Sequence, residues 1–186
     1  MNDVYSFTSE NPYTAFGIRD SIKNFAPKGK IATVVCIGSD LVLGDSLGPL
    51  VGTMLKKMNV PCYVYGTLST PVTAKEIVYA KNYVKKTHPE NFLIAVDAAV
   101  GDKNDVGLIK IENGGLRPGL GVDKKLGRIG DISVIGVVAP KSAQNYDLFN
   151  LTRLGFVYKM AENIAKGISV YLSETNPFAE RGNLAG

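Results

Sequence analysis

Apolar residues follow two patterns along this chain, short continuous runs and helical spacings. Continuous runs rich in β-branched residues are typical of strands buried on both faces of a sheet. They cover residues 31–37, 62–65, 92–96 and 132–138. Helical spacing falls between them over about residues 47–58, 73–86 and 145–172, and Asn11-Pro12 is expected to start an earlier helix. This alternation predicts an α/β fold, a three-layer α/β/α sandwich with a mostly parallel sheet.

One segment departs from this alternation. Gly107 to Glu112 alternates apolar and polar residues, which predicts a strand with one wet face, at an edge of the sheet and antiparallel. A chain of 186 residues with 45% hydrophobic content can bury one sizeable core. We therefore expect a single domain over residues 1–186, with an N-terminal arm and helix over 1–30, an α/β core over 31–172 and a loose C-terminal tail over 173–186.

Charge and cysteine usage narrow the function classes. Lys and Arg total 21 against 17 Asp and Glu, and the net charge of +4 is scattered, which favours a solvated surface over nucleic acid binding. The apolar runs fall short of the roughly 20 residues that a membrane span needs. Cys36 and Cys62 have no Cys-x-x-Cys partner, and the N-terminus does not read as a secretory leader. We expect reduced, structural thiols in a cytoplasmic protein.

Two aspartates lie where an open parallel sheet binds ligands, just after buried strands. Asp45 precedes a helix, so it is explained equally well as a helix N-cap. Asp97 ends the apolar run 92–96, where burial without partners costs several kcal/mol, and this favours a functional site. If the two strands are neighbours, repulsion leaves one carboxylate protonated, which supplies a general acid and a general base.

A glycine-rich stretch over residues 114–125 is long for a connection in a compact domain. Its glycines can bring backbone amides close to a substrate, and its basic residues can bind an anion, although the spacing matches neither a Walker loop nor a dinucleotide fingerprint. The candidate substrate-binding residues are Gly38, Ser39, Gly119, Gly121 and Lys124.

His88 is the only histidine, and it lies between the end of a helix and the start of a strand. That junction belongs to the opposite edge of the sheet from Asp45 and Asp97, roughly 20 Å away for a helix of about 14 residues. We therefore expect a surface histidine, with neither a metal ligand nor a cofactor.

Three segments resemble the spore germination proteases. Cys36-Ile-Gly-Ser-Asp-Leu-Val-Leu-Gly-Asp-Ser-Leu-Gly-Pro49 is similar to the segment around their first catalytic aspartate, which Asp45 matches. Ile94-Ala-Val-Asp-Ala-Ala-Val100 resembles the strand that ends in their second, which Asp97 matches. Residues 116–125 and 132–140 resemble their glycine-rich loop and following strand. The compact, sporulation-associated YyaC-like branch looks most similar.

The resemblance implies the phosphorylase/hydrolase-like, HybD-like fold that hydrogenase maturation endopeptidases share. It also implies a cytoplasmic protein of the spore or forespore that cleaves peptides or proteins by an atypical aspartic mechanism, with small acid-soluble spore proteins as the candidate substrate. The hydrogenase maturation relatives use a histidine to help hold nickel, whereas His88 is misplaced for that role.

The leading hypothesis is peptide bond hydrolysis by the pair Asp45 and Asp97. A non-catalytic sporulation-related binding or scaffold protein that retains the fold is the first alternative, with Asp45 as a helix cap and Asp97 bonded to loop amides. Metal-assisted hydrolysis, with both acids and water holding a hard cation, is the second. A homo-oligomer is left open.

Overall fold

A single sheet forms the centre of the molecule. The structure, a computed structural model, describes residues 3–117, 128–141 and 152–175. The strands in these ranges are β1 (Val4–Thr8), β2 (Ala32–Cys36), β3 (Tyr63–Tyr65), β4 (Phe92–Gly101), β5 (Leu108–Asn113) and β6 (Ile132–Pro140). The helices are α1 (Thr14–Phe25), α2 (Leu47–Lys57), α3 (Ile77–Thr87) and α4 (Leu154–Thr175), with short 3₁₀ turns at Gly44–Ser46 and Lys103–Asp105.

The strand order confirms the predicted α/β sheet. It runs β1-β5-β6-β4-β2-β3. The four strands β3, β2, β4 and β6 are mutually parallel, β5 runs antiparallel to β6, and β1 pairs antiparallel with β5. β2 and β4 are direct neighbours, with Cys36 opposite Val96. The expectation that Asp45 and Asp97 lie at the same edge of the sheet required these two strands to be neighbours.

Helices cover the sheet on both faces. Every residue of β2 is buried, as its continuous β-branched run predicts. The even-numbered side chains of β2 and β4, such as Val34 and Ile94, pack with α1, α2 and α4 in the larger core cluster. The odd-numbered ones, such as Val35 and Ala95, pack with α3 in a smaller cluster. The result is the predicted three-layer sandwich.

Two expectations about the sheet edge were incomplete or wrong. The arm over residues 1–30 contains β1, which lacks an apolar pattern of its own because four of its five residues are exposed. β1 pairs with β5 from Val4 opposite Glu112 to Thr8 opposite Leu108. β5 is antiparallel as predicted, but it lies between β1 and β6 and is not an edge strand.

Helix bounds differ from the predicted ones for local reasons. Asn11 accepts a hydrogen bond from the Tyr13 N–H through Oδ1 (2.9 Å), and α1 starts only at Thr14. The Thr73 N–H donates to Glu76 Oε2 (3.1 Å) in a turn that precedes α3. α4 extends to Thr175, and both residue 145, where the last helix was predicted to begin, and residues 176–186 of the tail lie outside the described residues.

Candidate functional site

The C-terminal edge of β2 and β4 carries the predicted aspartates. β2 stops at Cys36, whereas β4 continues to Gly101, so Asp97 lies one residue past the last paired position of β2. The Ile37 N–H donates to the Val96 carbonyl oxygen (2.8 Å), which extends the alignment by one step. Asp97 is only 6% exposed, and its Oδ1 accepts a hydrogen bond from the Ala98 N–H (2.9 Å).

Asp45 lies in the 3₁₀ turn Gly44–Ser46, which packs against β4. The Ser39 N–H donates to the carbonyl oxygen of Asp45 (3.1 Å) and so fastens this turn to the loop that leaves β2. The Ser46 hydroxyl donates to the Leu43 carbonyl oxygen (2.6 Å) and closes the turn on its other side. The structure thus brings together Gly38, Ser39 and Asp45, three of the residues predicted for the site.

Glycines allow this close approach. Gly38 has a φ of 142°, and a Cβ there would overlap the carbonyl oxygen of Asp45. Gly48, in the first turn of α2, lies so close to β2 that a Cβ would overlap the Ile37 carbonyl oxygen. These two glycines of the segment 36–49 are therefore required by backbone packing. The close backbone packing at these glycines holds Asp45 over the end of β2.

The Asp45 carboxyl is in an environment that disfavours its charge. Partial burial raises its pKa, and the nearby Ser39 backbone N–H opposes the shift only in part. The residue that caps α2 is Ser46, and no side-chain hydrogen bond caps that helix. The helix-cap explanation of Asp45 therefore does not account for its carboxylate, because Asp45 precedes the N-cap residue of α2 by one position.

The two carboxylates approach the edge from different layers. Alternation along β4 places Asp97 on the α3 face with Leu93 and Ala95, whereas α2, which follows Asp45, lies on the other face. The two layers meet where β2 ends and the chain turns at Gly38.

A polar loop at the same edge was missed by the sequence reasoning. Residues 66–72 follow β3, and the Gly38 N–H donates to the Val72 carbonyl oxygen (3.0 Å). Within the loop, the Thr67 hydroxyl lies 3.0 Å from Ser69 Oγ and 3.1 Å from Thr70 Oγ1. The rule that singled out Asp45 and Asp97, polar residues directly after a strand, applies equally to this loop.

The remaining predicted site residues belong to the glycine-rich stretch. Gly119, Gly121 and Lys124 fall outside the described residues, and their substrate-binding role stays a prediction. The stretch that contains them is flanked by Leu116 and Ile129, which pair with each other and pack in the α3-side core with Ala95. That is the face on which Asp97 lies.

His88 and the cysteines stand apart from the aspartates. His88 is the C-cap residue of α3; its Nε2 lies 2.8 Å from the Tyr65 hydroxyl, and its ring stacks on Tyr63 with centroids 4.0 Å apart. It is half-buried, so it is an aromatic packing residue more than a free surface histidine. Cys36 and Cys62 are both free thiols. Within residues 3–117, 128–141 and 152–175, no three His, Cys, Asp or Glu residues are grouped as metal ligands would be.

The fold is similar to that of a hydrogenase maturation protease. The solved structure of the [NiFe] hydrogenase maturation protease HycI from Thermococcus kodakarensis KOD1 superimposes with a TM-score of 0.50, covering 84% of this chain and 98% of that one at 16% sequence identity. This confirms the HybD-like fold class. The chain itself belongs to the family described as "Protein of unknown function (DUF1256)", whose model matches residues 7–167.

A relative within reach of direct sequence comparison is the uncharacterized protein YyaC of Bacillus subtilis (strain 168). It is 45% identical over 143 residues, which cover 76% of this chain and 70% of YyaC. The similarity to YyaC is therefore confirmed. The link to the spore germination proteases stays a prediction. No helix among the described residues combines the length and the apolar character that crossing a bilayer requires.

Proposed function

We propose that this protein is a peptidase in which Asp45 and Asp97 act together on a peptide bond. The observation that carries the proposal is their placement around the end of β2: Asp97 lies on the neighbouring strand β4, one residue past the last pair with β2, and the turn that contains Asp45 packs against Gly38. Ligands of open α/β sheets bind at this edge. The protease-like fold supports the same class of reaction.

The environments of the two acids suggest their roles. Burial raises the pKa of Asp45, which suits a residue that holds a proton to donate. Asp97 accepts the Ala98 N–H, a contact that stabilises negative charge and suits the base. Asp97 takes a proton from water as the water oxygen bonds to the carbonyl carbon. The C–N bond then breaks, and Asp45 gives its proton to the leaving amine.

Single Asp45→Asn and Asp97→Asn variants test the proposal, with Asp102→Asn as a control for the same chemical change at an exposed residue. Cleavage of purified small acid-soluble spore proteins and of an unstructured polypeptide is followed by gel and mass spectrometry. Each site variant is expected to lose about 10²–10⁴-fold in rate, the usual contribution of acid–base catalysis. Wild-type cleavage that survives either change would remove the pair from the mechanism.

A role in sporulation extends this proposal. It is supported by the resemblance of the motifs around Asp45 and Asp97 to those of the spore germination proteases. On this extension the substrates are the small acid-soluble spore proteins, and the protein acts in the cytoplasm of the spore or forespore. Faster cleavage of those proteins than of the unstructured polypeptide is the expected result. Equal cleavage rates on the spore proteins and on the unstructured polypeptide would support a peptidase but contradict the assignment of spore proteins as its substrate.

A second candidate, a non-catalytic binding protein, is favoured by one contact. The Asp97 oxygen that accepts the Ala98 N–H is engaged by backbone, as expected of an acid retained to order the backbone of β4. On this alternative, Asp97→Asn lowers the melting temperature and leaves no enzymatic phenotype. A wild type that cleaves neither substrate, together with a destabilised Asp97→Asn variant, would select it.

A further inference from the structure

A groove of about 920 Å³ runs along the outer side of β3, and neither Asp45 nor Asp97 lines it. β3 is the last strand of the sheet, with β2 on its inner side. α2 lies on one face of the sheet and α3 on the other, so the groove has one helix as each wall. Its end is formed by the loop over residues 66–72.

The two walls of the groove differ in chemistry. On the α2 side, Lys56 and Lys57 occupy the last turn of the helix and are exposed. On the α3 side, Tyr79 is 72% exposed and stacks with Tyr83, their ring centroids 6.0 Å apart. The acid that lines the groove, Glu76, accepts hydrogen bonds from the backbone and hydroxyl of Thr73 and is held locally.

The tyrosine wall is a preformed surface. Tyr83 makes an edge contact with Tyr65 of β3, with centroids 6.0 Å apart, and the Tyr65 hydroxyl is fixed by His88. Rigid aromatic side chains exposed in a row give a partner contact area at low entropic cost. Among the described residues neither Lys56 nor Lys57 forms an ion pair. Glu76 keeps its charge, but its hydrogen bonds with Thr73 hold it on the α3 side, so the lysine wall can attract an acidic partner.

An extended peptide beside β3 would direct successive side chains to opposite sides of the strand. One set would face Lys56 and Lys57, and the other would face Tyr79 and Tyr83. We propose that this groove binds an extended polypeptide segment in which acidic residues alternate with aromatic or aliphatic ones. Backbone pairing with the sheet edge would supply affinity, and the two unlike walls would supply selectivity.

The groove is joined to the aspartate edge through backbone. Its end residue Val72 forms a parallel bridge with Ile37 and accepts the Gly38 N–H (3.0 Å). A segment held in the groove would therefore extend toward Asp45 and Asp97. That it is presented there for cleavage rests on the proposed peptidase activity, whereas binding itself does not.

The test measures binding without hydrolysis, by fluorescence anisotropy at physiological ionic strength with the full chain carrying Asp45→Asn and Asp97→Asn. The probes are fluorescein-labelled octapeptides: one alternates glutamate with tyrosine or leucine, one has the same composition in blocks, and one replaces each glutamate by lysine. The alternating peptide is expected to bind at least about tenfold more tightly than the other two, a difference of about 1.4 kcal/mol.

Groove variants decide where the peptide binds. Adding Lys56→Glu and Lys57→Glu, or separately Tyr79→Ala, is expected to weaken binding at least about tenfold. Lys85→Glu with Lys86→Glu makes the same charge change on exposed residues of α3 that do not line the groove, and it should alter affinity less than about twofold at a Debye length of about 8 Å. Equal binding of the alternating and block peptides, or equal loss in groove and control variants, would overturn the proposal.

Discussion

Replacing Gly38 by alanine tests the packing that positions Asp45. The residue is buried, has a φ of 142°, and a Cβ there would overlap the Asp45 carbonyl oxygen. Both partners are backbone, so no side-chain rotation can relieve the overlap. The turn Gly44–Ser46 or the end of β2 must move, and the hydrogen bond from the Ser39 N–H to the Asp45 carbonyl oxygen is the first contact at risk.

The expected loss has two parts. A non-glycine residue in this region of positive φ costs about 1–3 kcal/mol, and inserting a methyl group into a packed interior costs a further ~1–3 kcal/mol. The free energy of unfolding should therefore fall by about 2–6 kcal/mol. With a urea m-value of about 2 kcal/mol per M, the midpoint of unfolding should fall by roughly 1–3 M.

Two control substitutions separate these parts. Gly29 has a φ of 74° and open space to at least 4 Å around the position that a Cβ would take, so Gly29→Ala reports the conformational cost alone, about 1 kcal/mol. Gly155 lies in α4 with open space around it, and Gly155→Ala should be neutral or stabilise by about 0.5–1 kcal/mol. A Gly38→Ala loss no larger than that of Gly29→Ala would refute the close packing of Asp45 against Gly38.

Two further predictions concern titratable groups. Because burial raises the pKa of Asp45 above its ordinary 3.8, the protonated form contributes stability below pH 3.8 that is lost as pH rises through the raised value. In urea unfolding, the Asp45→Asn variant should therefore be at least as stable as the wild type near neutral pH. Its gain in the free energy of unfolding should shrink as the pH falls toward 3.8, the ordinary pKa of an aspartate. A variant that is less stable than the wild type at neutral pH would contradict the burial of this carboxyl. Burial also raises the pKa of the Cys36 thiol, and that of Cys62 to about 12, so a thiol reagent at mildly alkaline pH should label neither quickly until urea is added. Rapid labelling of the native protein would show that these thiols are not shielded.

The central sheet could be predicted from sequence because its strands carry their own signal. β2 is buried at every residue, and its β-branched run indicates a central strand without knowledge of its neighbours. β1 has no such signal, since most of its residues are exposed and its position depends on pairing with β5, which lies far along the chain. The position of β5 in the sheet could not be predicted either. A strand with one solvent-exposed face can lie at the edge of a sheet or have a partner strand on each side.

The aspartates were located because Asp97 comes directly after an apolar run and Asp45 lies between a buried strand and the following helix, properties readable from the chain. In the structure β4 continues past Asp97 to Gly101. The loop over residues 66–72 also follows a strand, yet its importance depends on the hydrogen bond between the Gly38 N–H and the Val72 carbonyl oxygen, which joins two segments distant in sequence. The groove beside β3 was beyond reach for a related reason. Its two walls, α2 and α3, belong to different layers of the fold, and only the sheet order makes β3 an edge.

The site and the groove depend on one unit of closely packed backbone. A Cβ at Gly66 would overlap the Cys36 carbonyl oxygen, and one at Gly52 in α2 would overlap the Gly66 carbonyl oxygen. Gly66, the first residue of the loop over residues 66–72, is thereby packed against Cys36, the last residue of β2, which lies two positions before Gly38. Because backbone contacts of this kind have no rotamers through which to relax, a peptide bound along β3 would have a fixed offset from Asp45. If the proposed peptidase activity holds, binding in the groove would position the peptide bond without any movement of the aspartates, which is the preorganisation that efficient catalysis requires.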